Sequence, residues 1–208
     1  MEISQDIDSL STEDKIRAAA AKVFVRKGYA ATKTRDIAKE AGINIASLHY
    51  YYRSKEKLFG LVIGEALNKF SQGMDEVFGG DNPLHEKIKN FVNRYIDFFK
   101  INPYIPVFIM SESQNNPEKV DQLVDSQKLM PKLTKELNEL IEEGIIRPIS
   151  PVHFFLNIIS LTAFPFIAKP LMSKKMNLSD DDYSQMLEER KELVPEMIIN
   201  FLYLKKPS

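Results

Sequence analysis

Residues 34–56 read Thr34-Arg35-Asp36-Ile37-Ala38-Lys39-Glu40-Ala41-Gly42-Ile43-Asn44-Ile45-Ala46-Ser47-Leu48-His49-Tyr50-Tyr51-Tyr52-Arg53-Ser54-Lys55-Glu56. The first part has helical spacing: Thr34 is a good N-cap, and Ile37, Ala38 and Ala41 fall on one buried face. Gly42 turns the chain, and Asn44 can cap a second short helix running to about Tyr52. In that helix Leu48 and Tyr52 point inward, towards Ile37 and Ala41, while Ala46, His49 and Tyr50 share the opposite face with Ser47 beside them. Two short helices joined by a glycine turn form the helix-turn-helix pattern, whose second helix enters the major groove of DNA.

Outward from this stretch the periodicity remains helical, with no convincing period-two run. A helix over 12–27 places Ile16, Ala20, Val23 and Phe24 on one face, and Gly28 follows where a C-terminus tolerates positive φ. Ser54 caps a long helix with Leu58, Val62, Ala66, Leu67 and Phe70 on one side, ending at Gly79-Gly80. Further helices are expected over 84–101, 104–113, 117–143, 151–169 and 179–205, with Pro131, Pro165 and Pro195 kinking or interrupting three of them. The expected fold is all-α, with about nine helices: an N-terminal helix-turn-helix domain over 1–54 and a C-terminal helical domain over 55–208.

Composition narrows the function classes. A hydrophobic content of 44% suits a globular chain, and the absence of cysteine excludes disulfides, thiolate metal sites and cysteine nucleophiles. Residues 1–14 are acidic and lack an apolar stretch, so they are not a secretory signal. The apolar stretch 154–168 is shorter than the roughly 20 residues of a spanning helix. Asn157, Ser160 and Pro165 also interrupt it, so a buried helix, no membrane and a cytoplasmic location are expected. The net charge of −1 conceals an asymmetry: residues 15–57 carry eleven Lys or Arg against Asp36, Glu40 and Glu56, a local +8. A basic block beside a mildly acidic body is the electrostatic footprint of a nucleic-acid reader.

At Phe24, Gly28-Tyr29, the run Thr34 to Gly42 and the run Ser47 to Glu56, the chain closely resembles the tetracycline-repressor (TetR) family of bacterial regulators. The strong resemblance covers about the first sixty residues. It implies that Thr34, Arg35, Tyr50 and Tyr51 touch the phosphate backbone, and that Lys55 binds a phosphate at the start of the fourth helix. It also implies that Ile45, Ala46 and Ser47 face bases, with His49 on the same face where a tyrosine is more usual. Tyr52 stands where phenylalanine is usual and reads as packing.

The resemblance further implies a homodimer on a double-stranded operator, formed through the last two long helices, and a C-terminal cavity for a small effector. Tyr95, Phe98, Tyr104, Phe108, His153 and Asn157 are the candidates for that cavity, and their neighbours suggest a largely apolar ligand. Most of the aromatic residues there are expected to be ordinary core. No cofactor is implied. His85 and His153 lack partners at metal-ligand spacing, so neither a metal site nor an enzyme built on them is expected. A scaffold that has lost DNA binding is disfavoured by the intact motif and its charge.

Overall fold

The computed structural model describes residues 11–115, 118, 120 and 129–205. Among them are ten helices and no strand: α1 Thr12–Ala31, α2 Thr34–Glu40, α3 Ile45–Tyr51, α4 Lys55–Gly79, α5 Leu84–Ile101, α6 Ile105–Asn115, α7 Leu129–Glu142, α8 Pro151–Ile167, α9 Lys169–Met176 and α10 Asp180–Leu202. The chain forms two compact units, Met1–Lys69 and Phe70–Ser208, dividing inside α4.

In the first unit the apolar face of each helix meets the others. Ile16, Ala20, Val23 and Phe24 of α1, Ile37 and Ala38 of α2, Leu48 of α3, and Leu58, Phe59 and Ile63 of α4 are all buried. Local polar groups set the boundaries. Ser11 Oγ accepts from the Asp14 N–H, and Asn44 Oδ1 from the Ser47 N–H at 2.7 Å. Gly28, at φ 73°, breaks the regular course of α1 before a last turn that ends at Ala31. Gly42, at φ 68°, makes the turn between α2 and α3. The start of α2 differs from expectation: Thr34 is its first residue, and the Lys33 N–H at the N-cap donates to Asp36 Oδ2 at 3.0 Å. An acidic side chain in the first turn thus accepts from the N–H of the N-cap residue itself, and Thr34 does not serve as the cap.

The second unit is built on α5, which packs against α8 and α10. Phe91, Tyr95 and Phe99 of α5 are buried, with Phe70 of α4 stacked on Phe98 at 4.6 Å and Phe166 of α8 5.9 Å from Phe99. Lys87 is buried and paired with Glu136 of α7 at 2.9 Å, while Lys191 and Lys100 join α10 to α5 through Asp97 and Glu188.

The extra helix, α9, follows a break at Ala168, three residues beyond Pro165, where α8 and α9 are bent by 68°. Proline has no N–H, so it frees the carbonyl of Leu161 four residues earlier. Arg190 of α10 donates to that carbonyl at 2.6 Å, and the Tyr183 hydroxyl donates to Pro165 O at 3.1 Å. The carbonyl that Pro165 frees is therefore satisfied from α10. Pro170 sits in the first turn of α9, where a missing donor costs nothing. Pro195 does not interrupt its helix, since α10 runs through it to Leu202, and Pro131 lies near the start of the described part of α7. Of the expected helix 117–143, most of 117–128 lies outside the described residues. No single described helix is long and apolar enough to cross a membrane; α8 and α9 pass that test only as a bent pair.

Candidate nucleic-acid interface

The helical phase of α3 separates two faces. Leu48 and Tyr52 are 1% and 4% exposed, so packing accounts for both. Tyr50 and Tyr51 are 83% and 43% exposed, and their rings meet edge to face at 5.3 Å. An exposed tyrosine returns little of the roughly 1.5–3 kcal/mol that burying a large apolar side chain supplies, so packing does not explain Tyr50. Ile45, Ala46 and His49 are also exposed, and Ser47 is half-buried. On α2, Arg35 is exposed and Thr34 half-buried. The Arg35, Ala46, His49, Tyr50 and Tyr51 side chains are therefore available to an external partner.

The buried side of this turn is anchored. The Tyr52 hydroxyl donates to Glu13 Oε1 of α1 at 3.2 Å, and burial, then Glu13, pushes its pKa up to about 12. Arg17 pairs with Glu65 of α4 at 2.9 Å and with Asp14.

The start of α4 grips the end of α1. Lys55 Nζ donates to the carbonyls of Tyr29 and Thr32 at 3.0 and 3.1 Å, and lies 4.2 Å from the centre of the Tyr29 ring. The Tyr29 hydroxyl donates to Glu56 Oε1 at 2.8 Å, and its ring lies 4.3 Å from that of Phe59. The Tyr29 hydroxyl, ahead of other hydrogen bonds, holds the Glu56 carboxyl below its ordinary value. Tyr29 is the residue that sequence reasoning passed over. Its place after Gly28 was visible, but partners on a helix 26 and 27 residues away were not.

The three acids of the basic block are all turned back on α1. Asp36 pairs with Lys27 at 3.0 Å, Glu40 with Arg26 at 3.0 Å, and Glu56 with Tyr29. Lys27, then the Lys33 N–H, lowers the pKa of Asp36. The carboxylates of the block are thereby matched inside the protein.

The candidate effector residues are not brought together as one set. Tyr95 and Phe98 belong to the aromatic cluster of α5, where Tyr95 is 7% exposed and 4.4 Å from Phe99. Its hydroxyl makes no hydrogen bond with any described residue, and burial pushes its pKa up. Tyr104 and Phe108 lie around the start of α6, both partly buried, and burial pushes the Tyr104 pKa up to about 12. His153 and Asn157 are exposed on α8. Asn157 lines a groove of about 340 Å³ between α8 and α10, with Phe154, Ser160, Met197 and Phe201.

The model for bacterial regulatory proteins of the tetR family matches residues 16–62, which contain most of α1 and all of α2 and α3. The model for the tetracyclin repressor-like C-terminal domain matches residues 85–198. The chain belongs to the TetR family. It is a DNA-binding transcriptional regulator, as its TetR-family relatives are. It is 24% identical over 183 residues to IcaR, the negative regulator of the biofilm operon icaADBC in Staphylococcus epidermidis, covering 85% of this chain and 94% of that one. It is 29% identical over 142 residues to the repressor KstR2 of Mycobacterium tuberculosis, covering 66% and 70%.

Solved TetR-family structures share the fold. The ketosteroid regulator KstR2 of Mycobacterium tuberculosis superposes with a TM-score of 0.65 at 18% identity, over 94% of this chain and 96% of that one. FadR of Bacillus subtilis, solved with stearoyl-CoA, gives 0.60 at 18% identity, over 87% and 96%.

Proposed function

We propose that this TetR-family chain is a homodimeric, non-enzymatic, cytoplasmic repressor that a small, largely apolar effector releases from a palindromic operator. The observation that carries the reading is the outward face of α3, where Tyr50 and Tyr51 stand exposed behind an anchored Tyr52. In this reading Ile45, Ala46, Ser47 and His49 face bases, while Thr34, Arg35, Tyr50 and Tyr51 hold phosphates. Lys55 spends two of its three N–H donors on carbonyls and offers the third to a phosphate at the start of α4.

Dimerisation is supported by an apolar face with no cover in the single chain: Val152, Leu156 and Phe164 of α8, and Leu193, Met197 and Phe201 of α10, are exposed. An apolar effector is supported by the α5 aromatic cluster and by the unpaired Tyr95 hydroxyl, which offers a single polar contact. Two relatives with the fold are a ketosteroid regulator and a protein solved with stearoyl-CoA. The functional division falls at residue 55, with DNA reading over 1–54 and effector binding and dimerisation over 55–208. One helix, α4, carries Lys55 near one end and Phe70 in its second half, so a shift at the effector cluster reaches the DNA-reading end through it.

Footprinting on the region upstream of its own gene tests the reading. Two half-sites about one helical turn apart, roughly 34–36 Å, or a multiple, are expected. Ser47→Ala or His49→Ala should shift base preference, each lost base contact costing about 1–3 kcal/mol. One protected half without symmetry would contradict the dimer, and no protection anywhere would contradict operator binding.

A further inference from the structure

The +8 of residues 15–57 does not all reach a partner. Arg17, Arg26 and Lys27 are paired with acids, and Lys55 is turned onto two carbonyls. From the N-cap of α2 to the first turn of α4 this leaves Lys33, Arg35, Lys39, Arg53 and Lys57, all exposed and none in a side-chain ion pair or hydrogen bond with a described residue. With Asp36, Glu40 and Glu56 each matched towards α1, no carboxylate of the block forms an ion pair with any of these five cations. They fall into two groups along the chain. One precedes the recognition helix, and the other, Arg53 and Lys57, follows it.

Arg53 differs from the rest in how its backbone is held. Tyr52 before it is buried and tied by its hydroxyl to Glu13, and Ser54 after it accepts the Lys57 N–H at 3.2 Å as the cap of α4. The backbone leaves α3 in an extended conformation at Tyr52. A fixed residue on each side with an exposed, unpaired guanidinium between them spends less order on binding than a cation in a loose loop. The planar fork also matches two phosphate oxygens at once.

We infer that Arg53 is a phosphate anchor of the DNA complex, holding the strand on the side where α3 ends. The inference rests on α3 as the DNA-facing helix and adds to it a contact on the α3–α4 turn. Arg53 carries no base readout; it sets affinity and register for every sequence alike.

The test measures binding of the full chain to a generic duplex of about 30 base pairs, by fluorescence anisotropy, between about 50 and 200 mM salt. Each phosphate neutralised contributes about 0.9 to the slope of log affinity against log salt. Arg53→Gln should lower that slope by about 0.9 per bound chain and weaken binding near 0.1 M salt by roughly tenfold per chain. Arg53→Lys should keep the slope and lose affinity, because the charge stays while the fork is lost. Lys22→Gln, an exposed cation of α1, should leave the slope unchanged. A slope unaltered by Arg53→Gln, while the unsubstituted chain binds with a clear salt dependence, overturns the anchor and leaves α3 reading intact. An unsubstituted chain that does not bind the duplex at any salt overturns both.

Discussion

Lys55 Nζ lies 3.0 Å from the carbonyl oxygen of Tyr29 and 4.2 Å from the centre of the same residue's ring. One ammonium group thus closes the α1–α2 turn against the start of α4, and the Tyr29 hydroxyl on Glu56 adds a second tie in the opposite direction. These contacts tie the end of α1 to the start of α4 beside the apolar core. A family position expected to hold phosphate therefore also has an internal partner.

Lys55→Met keeps most of the aliphatic stem and removes the charge. Two charge-assisted bonds to part-buried carbonyls disappear, and the loss of stability should be about 1–3 kcal/mol. Urea unfolding of the full chain, followed by a signal from the N-terminal unit, measures it. An unchanged midpoint would show that the Tyr29 contact is incidental.

Tyr52 gives the N-terminal unit an alkaline limit. Its folded pKa is raised to about 12 from an ordinary 10.0. The unfolded chain therefore loses this proton first, and folding must take it back. The contribution is intact below about pH 10 and is lost as pH rises towards 12. Tyr52→Phe should cost about 0.5–1.5 kcal/mol at neutral pH through the missing bond to Glu13 and should flatten the alkaline decline. Thermal melts of both chains between pH 8 and pH 11 compare the slopes, and parallel slopes would contradict the assignment.

The face made by Leu156 and Met197 is exposed, so a charge placed there should change stability by no more than about 0.5 kcal/mol. If a second copy covers it, Met197→Glu buries an unpaired carboxylate in the dimer, and association fails. Light scattering should then report a folded monomer, and operator affinity should fall because the two half-sites are no longer bound together. A dimer unaffected by both Leu156→Glu and Met197→Glu would place the interface elsewhere.

How far the residues announced these features depends on the range of the forces involved. The caps at Asn44 and Ser54, the turn at Gly42 and the phase that buries Leu48 and Tyr52 act within a few residues, and each was readable. The sequence marked Pro165 but not the break at Ala168 or the separate helix α9, and the partner of the freed Leu161 carbonyl, Arg190, lies 29 residues away. The tie between Lys55 and Tyr29 was hidden for the same reason. His153 and Asn157 were candidates as the few polar groups of an apolar pocket, and α8 is apolar around most of its circumference, which leaves no phase to mark the buried side. Their exposure follows from packing against α5 and α10, a tertiary choice the helix alone does not encode.

Tyr95 offers the sharpest test of an apolar effector. Its ring is packed among Phe70, Phe91 and Phe99, while its hydroxyl bonds to no described residue. The hydroxyl forms no hydrogen bond that the core depends on, so phenylalanine would serve the core about as well. Tyr95→Phe should leave the ligand-free chain as stable as before, or more stable by up to about 1 kcal/mol. If the hydroxyl meets an acceptor on the effector, losing that bond of about 1 kcal/mol should weaken effector binding roughly fivefold. Coupling of about 1–3 kcal/mol between effector and operator would make the effect visible as incomplete release. Operator affinity is measured for both chains across a panel of sterols and fatty acyl compounds. Tyr95→Phe that destabilises the chain and leaves release by an active compound unchanged would make the hydroxyl a structural group and remove it from the effector site.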